Sequence, residues 1–337
     1  MKTTARFSSL ATLSLLALPA AAHHSPAMFD LTKDVVFEGT VTELSWGNPH
    51  VYFAIEVMDA EGKPRRQRIE AGPASNLVTH GMRADSVRPG DRVVVRAKPN
   101  RADAAGTALG WIITKSDGSA LPLHVRAITP AAPGNATAVT IAGTWVPSGA
   151  GFTSLAVGSR DWPLTAAGRA AVDATREARI RARSECVPFG PPALMTLPST
   201  TIVTVSGTTV TFELDTMGVK RVVHLDRTSH PADLEPTVLG HSIGHWEAGT
   251  LVVDTIGFAA HPEGFAFDLP SSATKHIVER FTLADDRKHL QYEATVGDRE
   301  YLAAPIAHRS EWSYRPDQEP SGLPCDPDVA GRFATGD

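Results

Sequence analysis

The sequence predicts a mainly β protein: an OB-like small barrel, then a lipocalin-like up-and-down β-barrel or curved meander with one Ala/Arg-rich helix. Three observations predict it. The 337 residues include 27 Gly and 25 Pro, which divide the chain into short segments. Between those breaks, apolar and polar residues alternate with the two-residue period of a strand. Eight such segments then run in series through the second half, several joined by turns so short that antiparallel neighbours are expected. A two-sheet sandwich is the competing arrangement of the same strands.

Taken in order, residues 1–22 read as a secretory signal peptide. Lys2 and Arg6 precede an apolar run from Leu10 to Ala22 that ends in small residues. The run is shorter than the ~20 apolar residues of a bilayer span, so a periplasmic or secreted protein is expected. Residues 23–125 form the first domain, with strands expected at 35–46, 51–57 and 67–71 and a short helix at 73–80. Two more strands follow at 91–97 and 108–115, with a tail at 120–125, and Pro89-Gly90-Asp91 turns the chain into the fourth strand. Three strands, a helix and two strands is the order of an OB-type barrel, the helix closing one end. Residues 126–142 lack periodicity, are rich in Ala, Pro and Gly, and read as a linker.

The second domain, 143–337, opens on Gly143-Thr144-Trp145, a Gly-x-Trp similar to that of lipocalin-like barrels. A helix is expected at 164–183, ended by the Pro-rich loop that begins at Cys186. The eight strands are expected at 201–205, 208–214, 220–226, 238–247, 250–257, 276–284, 289–296 and 307–314. The formal charge of -5 argues against a nucleic-acid binder, which needs a Lys/Arg surplus to neutralise phosphates. Cys186 and Cys325 lie outside any Cys-x-x-Cys motif. In an oxidising compartment they are expected to pair, a cross-link worth about 4–5 kcal/mol in the chain-entropy model.

Strand register carries the functional expectation. If Ala248-Gly249 is a two-residue turn, Glu247 faces Thr250, His245 faces Val252, Ile243 faces Asp254 and His241 faces Ile256. Side chains alternate faces, so His241, His245 and Asp254 share one surface, with Asp254 diagonal to both imidazoles. A carboxylate beside an imidazole fixes its tautomer and stabilises its protonated form, as acid–base catalysis requires. Two imidazoles and a carboxylate would equally ligate a metal with an open position. His241, Asp254 and His245 are thus the candidate catalytic residues, and Arg221, Trp246, His276 and Arg280 the candidate substrate contacts. His224 and Asp226 share a face opposite to Arg221, and Glu279-Arg280 is expected to make structural ion pairs. His230-Pro231 and His261-Pro262 are expected in ordinary turn roles. Gly240-His241-Ser242-Ile243-Gly244 matches the Gly-x-Ser-x-Gly spacing of a nucleophile elbow, but it runs strand to strand where an elbow runs strand to helix.

The mature N-terminus is a second constellation. Cleavage after Ala20, Ala21 or Ala22 leaves His23 or His24 first or third, where a free amine and an imidazole chelate copper(II) or nickel(II).

His23-His24-Ser25, Met28-Phe29-Asp30, Gly39-Thr40-Val41, Trp46-Gly47-Asn48-Pro49-His50 and the Pro89-Gly90-Asp91 turn together resemble an uncharacterised family of small exported bacterial proteins. The second half resembles a domain of unknown function found in exported bacterial proteins. The resembling stretches are 221–226, His230-Pro231, Gly240 to Gly244, Trp246-Glu247, 250–255 and Glu279-Arg280. The sequence departs from that pattern at Ala248-Gly249, where Gly-Asp is usual, and at His245, which weakens His245 relative to His241 and Asp254. The resemblance implies two exported domains and no settled activity.

The expectation is therefore an exported protein that binds a small apolar or aromatic molecule in the barrel. Any catalysis would be cofactor-independent proton transfer of lyase, isomerase or cyclase type. The alternative is a non-catalytic protein that handles copper or another metal through His23 and His24.

Overall fold

The computed structural model describes residues 29–330 except 104–105, 125–126, 128–134 and 159–160. The stretch expected as a signal peptide, His23, His24 and part of the expected linker lie outside the described residues.

The N-terminal unit contains β1 (Val35–Ser45), β2 (Tyr52–Met58), β3 (Pro64–Glu70), β4 (Arg92–Lys98), β5 (Ala108–Lys115) and β6 (Ala120–Pro122). They pair in the order β3-β2-β1-β4-β5-β6, and β3 returns to β5 in parallel, Ile69 opposite Ala108, which closes a small barrel. Alternation drives it: on β4, Val93, Val95 and Ala97 are buried while Arg92, Val94 and Arg96 are exposed. The short helix α1 (Ala74–Leu77) and the 3-10 turn Val78–His80 fall between β3 and β4, and Ala74 and Leu77 pack into this core. That is the expected OB-like order.

The second unit contains β7 (Gly143–Pro147), α2 (Gly149–Gly158), α3 (Ala166–Ala174), α4 (Arg176–Ser184), β8 (Thr201–Val205), β9 (Thr209–Leu214) and β10 (Val219–His224). It continues with β11 (His241–Glu247), β12 (Thr250–Ile256), β13 (His261–Ala266), β14 (Leu269–Ser271), β15 (Lys275–Leu283), β16 (His289–Asp298) and β17 (Ile306–Tyr314). Nine strands close a barrel in the ring order β10-β11-β12-β15-β16-β17-β7-β8-β9. All eight expected strands take part, and closure excludes the two-sheet sandwich.

Three details correct the expectation. The barrel is not strictly up-and-down, because β10 and β11 run parallel, Val223 opposite Ser242. Parallel neighbours need a long crossover, and residues 225–240 supply it. The strand expected from 238 begins only at His241. Gly240 there takes φ +67°, and a Cβ on it would lie 2.7 Å from the Ile256 carbonyl oxygen, so the bend requires glycine. The single helix expected over 164–183 is two, meeting at Thr175, with Thr165 capping α3 through the Gly168 amide.

Large aromatic side chains occupy the barrel interior. Trp145, Phe212, Phe281, Tyr292 and Trp312 are fully buried, with Phe281 ring centroids 4.8 Å from Phe212 and 5.1 Å from Tyr292. Beside them lies a buried ion pair. Arg221 donates to both carboxylate oxygens of Glu279, while Ser242, Thr255 and the Tyr292 hydroxyl complete the network. Glu279 and Arg280 therefore do not act together: alternation sends Glu279 inward to Arg221 and Arg280 outward to Glu247, at 3.0 Å. A buried pair satisfied in this way is costly to break by removing one partner.

Cys186 and Cys325 form the expected disulfide across 139 residues, their Cα atoms 5.9 Å apart. The C-terminal segment around Cys325 also grips the first unit. Asn48 donates to the Leu323 carbonyl at 2.9 Å, and the Asp326 amide donates to the Asn48 carbonyl at 3.0 Å. Among the described residues no helix is long and apolar enough to cross a membrane.

Candidate functional site

The hairpin β11–β12 has the register read from the sequence: Glu247 opposite Thr250, His245 opposite Val252, Ile243 opposite Asp254 and His241 opposite Ile256. Ala248 at φ 46° and Gly249 at φ 88° form the two-residue turn with both central residues left-handed. Alternation then separates two surfaces. Ser242, Gly244, Leu251, Val253 and Thr255 are buried toward the interior, so His241, Ile243, Asp254 and Ile256 lie on the outer wall. The surface shared by His241 and Asp254 is therefore the outer wall and not the barrel interior, where binding of a small molecule is expected. Small and apolar side chains hold the inward positions, and the polar set takes the other face.

On that outer wall the imidazoles gather. The crossover 225–240 carries His230 over β11 and β12, where the ring bridges two partners. Its Nε2 lies 2.9 Å from Asp254 Oδ1 and its Nδ1 lies 2.8 Å from His241 Nδ1. His276 on β15 places Nε2 2.8 Å from the second oxygen, Asp254 Oδ2. His224, at the end of β10, stacks on His241 with ring centroids 5.2 Å apart and planes at 13°. His230 is only 12% exposed, against 39% for Asp254 and 49% for His276, so the bridge is the sheltered part.

Donor and acceptor counting fixes the tautomers. A carboxylate only accepts, so His230 donates Nε2–H to Asp254 and His276 donates Nε2–H to the other oxygen. With His230 neutral, its Nδ1 accepts and His241 donates Nδ1–H to it. The basic nitrogen of His241 is therefore Nε2, which makes no hydrogen bond among the described residues. Burial together with the neighbouring His230, His224 and Arg227 lowers the His241 pKa and favours its neutral form. Burial acts to raise the Asp254 pKa, but hydrogen bonds from His276 and His230 outweigh it, and the carboxyl titrates below its usual range. The group is thus an ionised carboxylate, a bridging imidazole and a neutral terminal imidazole with a free lone pair.

The other expected site residues disperse. His245 turns to Glu247, at 2.9 Å, and takes no part in the cluster. Arg221 belongs to the buried ion pair inside the barrel. Trp246 follows the inward alternation but sits at the rim, 43% exposed. Arg280 is held by Glu247. Of the four expected substrate contacts only His276 joins the pair His241–Asp254. Sequence reasoning missed His230 as the bridge: it sits in an aperiodic loop, where no spacing indicates which wall the ring will meet. His224 was legible as an outward residue, since Arg221 and Val223 take the inward positions of β10. Among the described residues no three His, Cys, Asp or Glu side chains converge as a metal ion requires.

The chain is thus a two-barrel β protein whose polar cluster is displayed on the outside of the larger barrel. Residues 11–108 match a family of unknown function, DUF6152, so the first unit is similar to an uncharacterised domain. No curated protein matches the chain.

Proposed function

We propose that the protein is exported and performs cofactor-independent proton transfer on a small apolar or aromatic molecule at the outer wall of its second barrel. His241 is the base, His230 the relay and Asp254 the carboxylate that orients the relay and stabilises the charge. The observation that carries this reading is the unbroken chain from Asp254 Oδ1 through both nitrogens of His230 to His241 Nδ1. When His241 Nε2 takes a proton, its Nδ1 proton can move to His230, which brings the positive charge next to the carboxylate. Half-buried Ile243 and Ile256 flank His241 on the same face and offer an apolar footing. The aromatic side chains in the interior favour this outer wall over the lumen as the place of binding. Export is supported by the basic start and apolar run of residues 1–22 and by the disulfide.

A carbon acid tests the base directly. The full mature chain should accelerate exchange of the C2 protons of cyclohex-3-en-1-one in D2O, followed by NMR. His241→Ala and Asp254→Asn should each lower that acceleration by about 100-fold, with circular dichroism unchanged. Equal exchange in wild type and both variants, or exchange no faster than buffer, would overturn the reading.

A further inference from the structure

The carboxylate that serves the relay serves a second imidazole, and the two free nitrogens lie on either side of one apolar residue. In the β12–β15 register Thr255 lies opposite Ile277, which brings Ile256 opposite His276; across β11–β12, Ile256 lies opposite His241. His241, Ile256 and His276 therefore form one row across three strands, with the outer two backbones about 10 Å apart at ~4.8 Å per strand. All three belong to the outward-facing set. His276 binds Asp254 through Nε2, so its Nδ1 is the nitrogen left for a ligand, and the side chain is 49% exposed.

The surroundings of the two rings differ. His241 meets His230, His224 and Arg227 and no carboxylate. His276 meets Asp254, and its partner on β16 is Gly297, which brings no side chain. Two titratable groups set in opposite environments divide the roles of acid and base.

Resting on the proton-transfer reading above, we infer that His276 is the general acid of the site and that the reaction is a proton-shift isomerisation of a small enolisable carbonyl compound lying over Ile256. His241 Nε2 removes a proton from the carbon next to the carbonyl. The C–H bond breaks, an N–H bond forms, and the electron pair enters the conjugated enolate. The His276 imidazolium gives its Nδ1 proton to the far carbon of that system, where a new C–H bond forms as its N–H bond breaks. The product is an isomer of the substrate, with no oxidant or reductant consumed. One proton is left on His241 and one is missing from His276, and exchange with solvent restores both.

The same probe separates the two steps. Full-length mature protein is given cyclohex-3-en-1-one, and the conjugated cyclohex-2-en-1-one is followed by its ultraviolet absorbance while C2 exchange is followed by NMR. His276→Gln is expected to cut conjugation at least tenfold more than it cuts C2 exchange, so that the ratio of the two rates falls by that factor. His276→Gln that conjugates at the wild-type rate would overturn the inference while leaving the base in place. His276→Gln that loses conjugation and exchange by the same factor would assign the ring a positioning role through Asp254 and also overturn it. Absence of C2 exchange in the wild type would instead remove the proton-transfer reading on which the inference rests.

Discussion

At the scale of single residues, protonation is what links this site to solution behaviour. Burial lowers the pKa of His241, and it does the same for His80, His261 and His308, with His261 lowered to about 4. In each, the unfolded chain binds a proton that the folded chain refuses. Stability is therefore fully present above the unfolded value of 6.5 and is lost as pH falls from 6.5 toward the folded values. The thermal midpoint should fall steadily between pH 7 and pH 4.5, and His261→Gln should flatten that slope; a midpoint constant over the range would contradict this. The buried ion pair gives a second expectation at this scale. Arg221→Met leaves Glu279 charged and unpaired in the interior and should cost about 3–5 kcal/mol in urea unfolding, whereas replacing both partners with apolar residues should cost much less. An Arg221→Met loss below about 1 kcal/mol would show that the pair is not buried as described.

At the scale of elements, the hairpin at 248–249 sets which side chains meet. Its register was legible because two-residue turns admit few alternatives and because the flanking strands alternate clearly. Ala248 is the weak point, since φ 46° costs an alanine about 1 kcal/mol or more. Ala248→Asn should raise the thermal midpoint by about 2–4 °C, and Ala248→Val should lower it. What the strands could not reveal is which face would be inside. Ser242 and Gly244 are small enough to line the interior beside Arg221 and Val223, and that fact emerges only once β10 is known to lie parallel to β11. His230 was illegible for a related reason: its place depends on the path of the crossover, which follows from packing and not from local pattern. The helix break at Thr175 and the small hairpin β13–β14 were likewise outside what periodicity conveys.

At the scale of the molecule, the two barrels each bury their own hydrophobic cluster, and the C-terminal segment bonds to both. Asp215 of the larger barrel accepts from Ser321 and Gly322, Asn48 of the smaller barrel exchanges hydrogen bonds with Leu323 and Asp326, and Cys325 is joined to Cys186. Closing so long a loop should be worth about 4–5 kcal/mol. The double variant Cys186→Ser/Cys325→Ser should therefore unfold at clearly lower urea concentration. It should also be cut by trypsin after Arg315 much faster than wild type; equal cleavage would show that the segment is held without the cross-link. The order of the smaller barrel, the nine-strand content of the larger one apart from β7, and the cysteine pairing follow from composition and alternation. The placement of the polar cluster on the outer wall does not.

The account stands on His230 joining Asp254 to His241. Nitrogen-15 NMR of the imidazoles in the full chain at pH 7 measures that directly. It should show His230 as the Nε2–H tautomer and His241 as the Nδ1–H tautomer, with a coupling through His230 that is lost in Asp254→Asn. His241 in the common Nε2–H form, unchanged by Asp254→Asn, would contradict it.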